Sequence, residues 1–522
     1  MDMAIKIGIL IVFFGIMIGI GFFCRKHANN VEGFVLGGRS VGPWLTAFAY
    51  GTSYFSAVVF VGYAGQFGWR FGIAATWAGI GNALLGSLLA WAVLGRRTRV
   101  MSQHLSSATM PQFFEARFDS KPLKLASSVI IFVFLIPYTA SLYNGLSRLF
   151  GMAFEIDYSV CVIAMSILTG IYVIAGGYMA TAINDFIQGI IMLMGIVAVI
   201  IAVLRGQGGL TEALNNLGQV VDPAVSQTPG AFNSFFGPDP VNLLGVVLLT
   251  SLGTWGLPQM VQKFYAIKSE KAISKGMIIS TLFALVVAGG CYFLGGFGRL
   301  FSDRIDLSAG GYDSIIPAML SDLPAVLIAV VVVLVLSASM STLSSLVLAS
   351  SSTLTLDFIK GTVVKELSEK KQIFIMRVLI AVFIAISAVI AIYQYNSNVT
   401  FIAQLMGISW GALAGAFLAP FLYGLFWKRV TTAAVWVSFG FSTLVMLANM
   451  LFKNIFPALL QSPINAGVFC MLAGLVLVPA VSLVTKPPKR EHVEKVFSCY
   501  DRKVVVSAAD AIGEPIDKEE AK

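Results

Sequence analysis

An all-α polytopic membrane protein is the fold class that the sequence predicts, and three observations carry that expectation. Charged residues make up only 12% of the 522 and hydrophobic ones 57%, about half the charge usage of an ordinary soluble domain. Mean hydropathy is +0.85, and a soluble chain of this length would need more surface charge than 35 basic and 26 acidic residues provide. Apolar runs near 20 residues recur from end to end. Each is about long enough to cross a ~30 Å hydrocarbon core as a helix, and none shows the alternation of outer-membrane strands.

Thirteen transmembrane helices are expected, at about 4–24, 43–66, 72–95, 124–148, 158–177, 187–204, 242–264, 274–298, 323–350, 374–394, 399–426, 432–452 and 465–485. The first is too long for a signal-peptide core, has only Lys6 against Asp2 before it, and is followed by no small-residue cleavage site, so it reads as a retained span. The second holds a small, hydroxyl-rich patch at mid-depth, Ala49-Tyr50-Gly51-Thr52-Ser53-Tyr54-Phe55-Ser56-Ala57. The seventh reads Thr250-Ser251-Leu252-Gly253-Thr254-Trp255-Gly256-Leu257-Pro258. There Pro258 removes a helix hydrogen bond and the glycines lower helix propensity. Unwound segments free backbone carbonyls and amides where every other peptide group is paired, so these two spans are candidate binding elements. They lie five apart, which fits two inverted five-helix repeats, each opening with a broken helix. The alternative is that small residues there only let helices pack closely. The ninth span carries Ser337, Ser341 and Ser345 at i, i+4 spacing, a polar stripe on a Val/Leu-rich helix.

These elements divide the chain into 1–42 (first helix and cytoplasmic loop), 43–204 (first repeat), 205–241 (extracellular loop), 242–426 (second repeat), 427–485 (last two helices) and 486–522 (cytoplasmic tail). An extracellular N-terminus puts most Lys and Arg on the cytoplasmic side, among them Arg96, Arg97, Arg99, Lys263, Lys268, Lys360 and Lys365, and an odd number of spans leaves the C-terminus in the cytoplasm. The net charge of +9 is thereby explained by topology and lipid headgroups, and no nucleic-acid partner is expected.

Five scattered cysteines form no C-x-x-C pair, and His27, His104 and His492 all fall in loops, so neither a disulfide framework nor a zinc or haem centre is expected. No P-loop, nucleophile elbow or H-E-x-x-H occurs. The chain reads as a carrier driven by an ion or solute gradient, not an enzyme, with no organic cofactor and a monomer as a sufficient unit. A hard monovalent cation needs several oxygens. The Ser341 and Thr342 hydroxyls, with carbonyls freed in the second span, would supply about five neutral ligands, unless each hydroxyl simply bonds its own i−4 carbonyl.

Several segments are specific at the level of a family. They are Phe34-Val35-Leu36-Gly37-Gly38-Arg39-Ser40-Val41-Gly42-Pro43, Tyr172-x-x-x-Gly176-Gly177-x-x-Ala180 leading to Asn184-Asp185-x-x-Gln188, Met340-Ser341-Thr342-Leu343-Ser344, and Leu425-Phe426-Trp427-Lys428-Arg429. Across essentially its whole length the chain resembles the sodium:solute symporters. The resemblance implies the leucine-transporter fold with one helix before the repeats and two after. It also implies a sodium site made by the carbonyls of Thr52, Phe55 and Ala338 and the hydroxyls of Ser341 and Thr342. Asp185 matches the family's acidic residue near the cytoplasmic interface, thought to assist sodium release; a helix-cap carboxylate is the alternative. Proline-type members share Gly37-Gly38-Arg39-Ser40 and Tyr138 but carry an aspartate at Tyr54, whereas Tyr54 and Gly256-Leu257-Pro258 resemble the pantothenate type.

The expected solute pocket is aromatic and neutral, lined by Tyr54, Ser56, Ala57, Tyr138, Thr250, Thr254, Trp255, Pro258 and Gln404. The resemblance and this pocket together imply a sodium-coupled symporter of the cell membrane. It would import a small organic solute, an amino acid such as proline or a carboxylate such as pantothenate, by alternating access. A proton-coupled or facilitative carrier and a transporter-like sensor are the alternatives. A proton relay usually wants buried carboxylates, and the spans as delimited offer almost none.

Overall fold

The computed structural model describes residues 2–154, 156–305, 307, 311–360, 362–364, 366–397 and 402–501. Lys365 and residues 502–522 of the expected tail lie outside the described residues. Among the described residues the chain is all-helical, with no strand. Ten helices are long and apolar enough to cross a membrane, or eleven when the bent pair Pro240–Trp255 and Pro258–Ala266 counts as one.

Two of the ten, Val58–His104 and Tyr158–Gly206, run to 47 and 49 residues. At 1.5 Å per residue each holds roughly 70 Å of helix, enough for two crossings. The break expected between 177 and 187 is narrowed to a single residue. Gly177 takes φ 57 and ψ −148 where one helix gives way to the next, a conformation open to glycine and little else.

The main helices are α1 (Asp2–Cys24), α2 (Pro43–Tyr54), α3 (Ala64–Phe71), α4 (Lys121–Phe154), α5 (Tyr158–Gly206), α6 (Pro240–Leu252) and α7 (Pro258–Ala266). They continue with α8 (Glu270–Gly295), α9 (Ala325–Thr353), α10 (Glu369–Ser397), α11 (Ile402–Phe426), α12 (Thr432–Leu451), α13 (Pro463–Val484) and α14 (Arg490–Phe497). Prolines stand in the first turn of α2, α6, α7 and α13, where the missing N–H costs no intrahelical bond. Large apolar side chains such as Ile11, Phe23, Met194, Leu282, Val389 and Val476 face outward, as lipid contact requires. Inside them, α9 and α11 are the most enclosed helices, α9 against α4 and α5, α11 against α4 and α13.

The glycine-rich motif before α2 has a backbone reason. Gly37, Gly38 and Arg39 take consecutive positive φ values of 59, 65 and 52. That turn aims the Arg39 guanidinium at the Ser107 carbonyl (2.7 Å), the Tyr265 carbonyl (3.2 Å) and the Glu32 carboxylate (3.0 Å). One side chain thus ties three segments together.

Candidate functional site

The first break lies where the hydroxyl-rich patch predicts it. After Tyr54 the chain extends at Phe55, with φ −102 and ψ 104. Ser56 then restarts the helix by accepting from the amides of Val59 (3.0 Å) and Phe60 (3.1 Å) on its carbonyl. Helix α9 runs alongside. Ser341 Oγ donates to the Thr52 carbonyl (3.1 Å) and the Ala338 carbonyl (3.2 Å), and Thr342 Oγ1 reaches the same two oxygens, each at 3.1 Å. Two hydroxyls and two carbonyls form one buried oxygen cluster, and Phe55 follows at the break itself. Their neighbours behave differently: Ser339 and Ser344 bond carbonyls of their own helix, Val335 (2.8 Å) and Ser341 (2.9 Å), as hydroxyls in membrane helices commonly do.

The second break also falls as expected. Past α6 a tight turn covers Gly253–Trp255, Leu257 is extended (φ −81, ψ 124), and α7 leaves at 43° to α6. Helix α11 lies directly on this break. A Cβ at Gly253 would sit 2.6 Å from the Trp410 ring, and one at Gly256 would sit 2.8 Å from the Leu418 nitrogen. Tyr54 stacks on Trp410 (centroids 5.8 Å) and Tyr138 meets that indole edge-on (5.9 Å). The Tyr54 hydroxyl donates to the Thr250 carbonyl.

Not every expected pocket residue turns inward. Thr250 Oγ1 bonds Asn82 Oδ1 (2.8 Å), Thr254 Oγ1 the Gly86 carbonyl (3.0 Å) and Trp255 Nε1 the Leu85 carbonyl (3.0 Å), so all three engage segment 82–89. Ser56 and Ala57 sit at the first break, with Ala57 close against Gly145 of α4, and Pro258 opens α7. Gln404 is half-buried on the first turn of α11, six residues and roughly 9 Å along the axis from Trp410, apart from the aromatic cluster. Trp410, Asn82 and Tyr292 were not anticipated. The Gly407-Ile408-Ser409-Trp410-Gly411 run was their one legible signal, an indole among small residues in a buried helix. The Tyr138 and Tyr292 hydroxyls, the Trp410 indole N–H and the Asn82 amide nitrogen are buried without a well-aligned partner.

Asp185 lies within its helix and not at a cap. Its helix resumes directly after Gly177 instead of at 187, so Asp185 lies eight residues, roughly 12 Å, inside it, and it is fully buried. Lys263, expected among cytoplasmic loop cations, is 2% exposed in α7 and pairs with Asp185 at 3.8 Å. The protein interior thus holds an acid–base pair that the apolar runs do not announce. Among the described residues no three His, Cys, Asp or Glu side chains gather to hold a metal.

Two broken helices facing each other, an oxygen cluster at one break and an aromatic cluster at the other define a multi-pass secondary transporter of the leucine-transporter fold. Solved structures share that fold. A sodium-coupled sialic acid symporter in a substrate-bound outward-open state superposes with a TM-score of 0.74 at 18% identity, over 93% of this chain and 99% of that one. A nucleobase-cation-symport-1 family transporter in a closed conformation with bromovinylhydantoin bound gives 0.50 at 14%, over 89% and 97%. The sodium/proline symporter of Staphylococcus aureus is 33% identical over 432 residues, 81% of each chain. The profile of the sodium:solute symporter family matches residues 34–440. The chain belongs to the sodium:solute symporter family. It is a sodium-coupled symporter of a small-molecule solute, a multi-pass membrane transporter and not an enzyme.

Proposed function

We propose that one sodium ion is held by the carbonyls of Thr52, Phe55 and Ala338 and the hydroxyls of Ser341 and Thr342, and drives import of a small carboxylate-bearing solute. The observation that carries this is the convergence of both hydroxyls on the Thr52 and Ala338 carbonyls at 3.1–3.2 Å. A cation of calcium-like radius takes oxygens at roughly 2.3–2.6 Å, which puts neighbouring ligands roughly 3.4 Å apart. The cluster therefore needs only a few tenths of an ångström of expansion and a rotation of two hydroxyl protons.

The solute chamber lies between Tyr54, Tyr138 and Trp410, with Ser56, Ala57, Thr250, Thr254, Trp255 and Pro258 around it and Gln404 above. Its buried donors, Tyr138 and Trp410, ask for an acceptor-rich ligand, which supports a carboxylate. The sodium/proline symporter relatives support an amino acid such as proline. Tyr54, where proline-type members have an aspartate, supports a pantothenate-like acid.

Thirteen crossings result when the two double-length helices count twice and the bent pair once. Repeats at 43–204 and 242–426, an outer N-terminus and an inner C-terminus belong to the same reading, with the monomer as the working unit and Asp185 on the sodium exit path. Sodium ties α2 to α9 and preorganises the chamber, and by reciprocity the solute tightens sodium. Alternating access then exposes the site to the cytoplasm.

Uptake of labelled proline and pantothenate into proteoliposomes under an imposed sodium gradient tests this. Sodium-driven accumulation of one of them, lost in the Ser341→Ala, Thr342→Ala double variant, is expected. Accumulation of both that is indifferent to sodium, or a double variant with intact sodium dependence, overturns it.

A further inference from the structure

Lys263 is a costly side chain to bury, at 2% exposed. An ammonium enclosed in a membrane protein is expensive and ordinarily marks function. Three groups hold it. Asp185 Oδ2 lies 3.8 Å away, the Tyr178 ring 5.1 Å, and Ser345 Oγ 3.0 Å. At 3.8 Å the carboxylate supplies charge but no directed hydrogen bond, and neither Asp185 oxygen has a hydrogen-bond partner. Ser345 therefore sets where the ammonium sits.

Ser345 is one turn beyond Ser341 on the same face of α9. Its hydroxyl also contacts Ser53 Oγ at 2.7 Å, and Ser53 follows Thr52 directly. The same two helices are thus joined twice, by Thr52 with Ser341 and Thr342, and by Ser53 with Ser345. The second junction carries Lys263 of α7. Elsewhere α7 is fastened by Gln262 Nε2 to the Val35 carbonyl (2.9 Å) and by the Ala266 carbonyl to the Val41 amide (3.3 Å). Lys263 is its tie to the oxygen cluster.

We propose that Lys263 is a positioning residue through which sodium occupancy fixes α7, the cytoplasmic half of the helix whose break borders the solute chamber. A cation that draws Thr52 toward Ser341 and Thr342 also sets the Ser53–Ser345 contact. That contact orients the hydroxyl that receives the ammonium, and the ammonium holds α7 against α5 and α9. When sodium leaves, the contact slackens and α7 is released from the cytoplasmic side of the chamber. Coupling of this kind travels through contiguous hydrogen-bonded contacts. It rests on the sodium cage proposed above.

The test is amide hydrogen exchange on the full chain in lipid nanodiscs, with sodium chloride alone as probe and potassium chloride at equal ionic strength as reference. In the unaltered protein sodium is expected to slow exchange in 49–56, 337–345 and 258–266. Ser345→Ala is expected to keep the response of the first two segments and lose that of 258–266. The paired variant Asp185→Asn, Lys263→Gln, which leaves no lone buried charge, is expected to do the same, whereas Lys263→Arg retains it. If the paired variant does not fold, Ser345→Ala alone decides. A merely structural lysine would speed exchange in 258–266 equally with and without sodium; an intact sodium-dependent difference there overturns the proposal. If 49–56 and 337–345 ignore sodium in the unaltered protein, the cage reading fails instead.

Discussion

Removing the Thr342 hydroxyl probes the sodium cage most directly. Its Oγ1 is buried and 3.1 Å from both the Thr52 and Ala338 carbonyls, so Thr342→Ala deletes one of the five neutral ligands proposed. An interaction between a polar group and a charge is worth about 1.5–3 kcal/mol. At ~1.36 kcal/mol per factor of ten, the sodium concentration for half-maximal transport should rise roughly 10- to 150-fold. Without sodium the same hydroxyl makes only neutral hydrogen bonds worth about 1 kcal/mol, so folding should suffer little. Thr342→Ser restores the oxygen and should restore most of the affinity. Ser339→Ala is the matched control: an equally buried hydroxyl on the same helix, bonded to its own Val335 carbonyl, and expected to leave sodium affinity unchanged. The assay is the initial rate of solute uptake into proteoliposomes against external sodium, with potassium keeping ionic strength constant. An unchanged half-saturating sodium concentration in Thr342→Ala, or an equal shift in Ser339→Ala, would refute the ligand assignment.

Other consequences reach different parts of the fold. One sodium falling through about 100 mV and a tenfold gradient supplies ~3.7 kcal/mol. That sustains roughly 500-fold accumulation of a neutral or zwitterionic solute but only about tenfold of a monoanion, so steady-state ratios with and without a clamped voltage reveal the solute's charge and the sodium stoichiometry. Gly177→Ala forces a side chain into φ 57, with its Cβ 2.8 Å from the Phe34 carbonyl; a loss of about 1–3 kcal/mol, read as a lower thermal midpoint, is expected. Asp185→Asn alone strands a buried ammonium and should cost about 3–5 kcal/mol, more than the paired Asp185→Asn, Lys263→Gln variant in the same melting assay.

Outside the spans, Asp313 pairs with Arg148 at 3.9 Å and accepts from the Ile402 amide at 3.3 Å, capping α11. Burial pushes its carboxyl up to about 6, against the lowering pull of Arg148. Because the folded state favours the protonated form, this group's stabilising contribution is fully present below the ordinary value of 3.8 and is lost as pH rises through about 6. Thermal stability should therefore fall between pH 4 and 6 by an amount that Asp313→Asn abolishes; a pH profile unchanged by that substitution contradicts it.

Much of the site was legible because its signals are local. Gly253, Gly256 and Pro258 weaken a helix through their own backbones, wherever the helix sits. The hydroxyl run at 337–345 announces oxygen ligands by residue type alone, and Gly37-Gly38-Arg39 announces a turn by its glycines. What was not legible depends on how helices are rotated about their axes. In water a helix shows its inner face by polarity, but in lipid both faces are apolar, so nothing in the run 399–426 said that Trp410 would stack on Tyr54. Helix ends were equally hidden: the apolar run begins at 187, but the hydrogen-bonded helix begins beyond Gly177, so Asp185 falls inside it.

The sequence by itself therefore determined the solvent, the class of fold, where two helices break and which atoms could meet a cation, since composition and backbone preference act residue by residue. Only the tertiary structure decided that Ser341 and Thr342, not Ser339 or Ser344, reach across to Thr52. It alone decided that Lys263 turns inward to Asp185 and Ser345. Those choices belong to helix packing, in which each contact joins residues far apart in the chain and is fixed by the fit of whole surfaces.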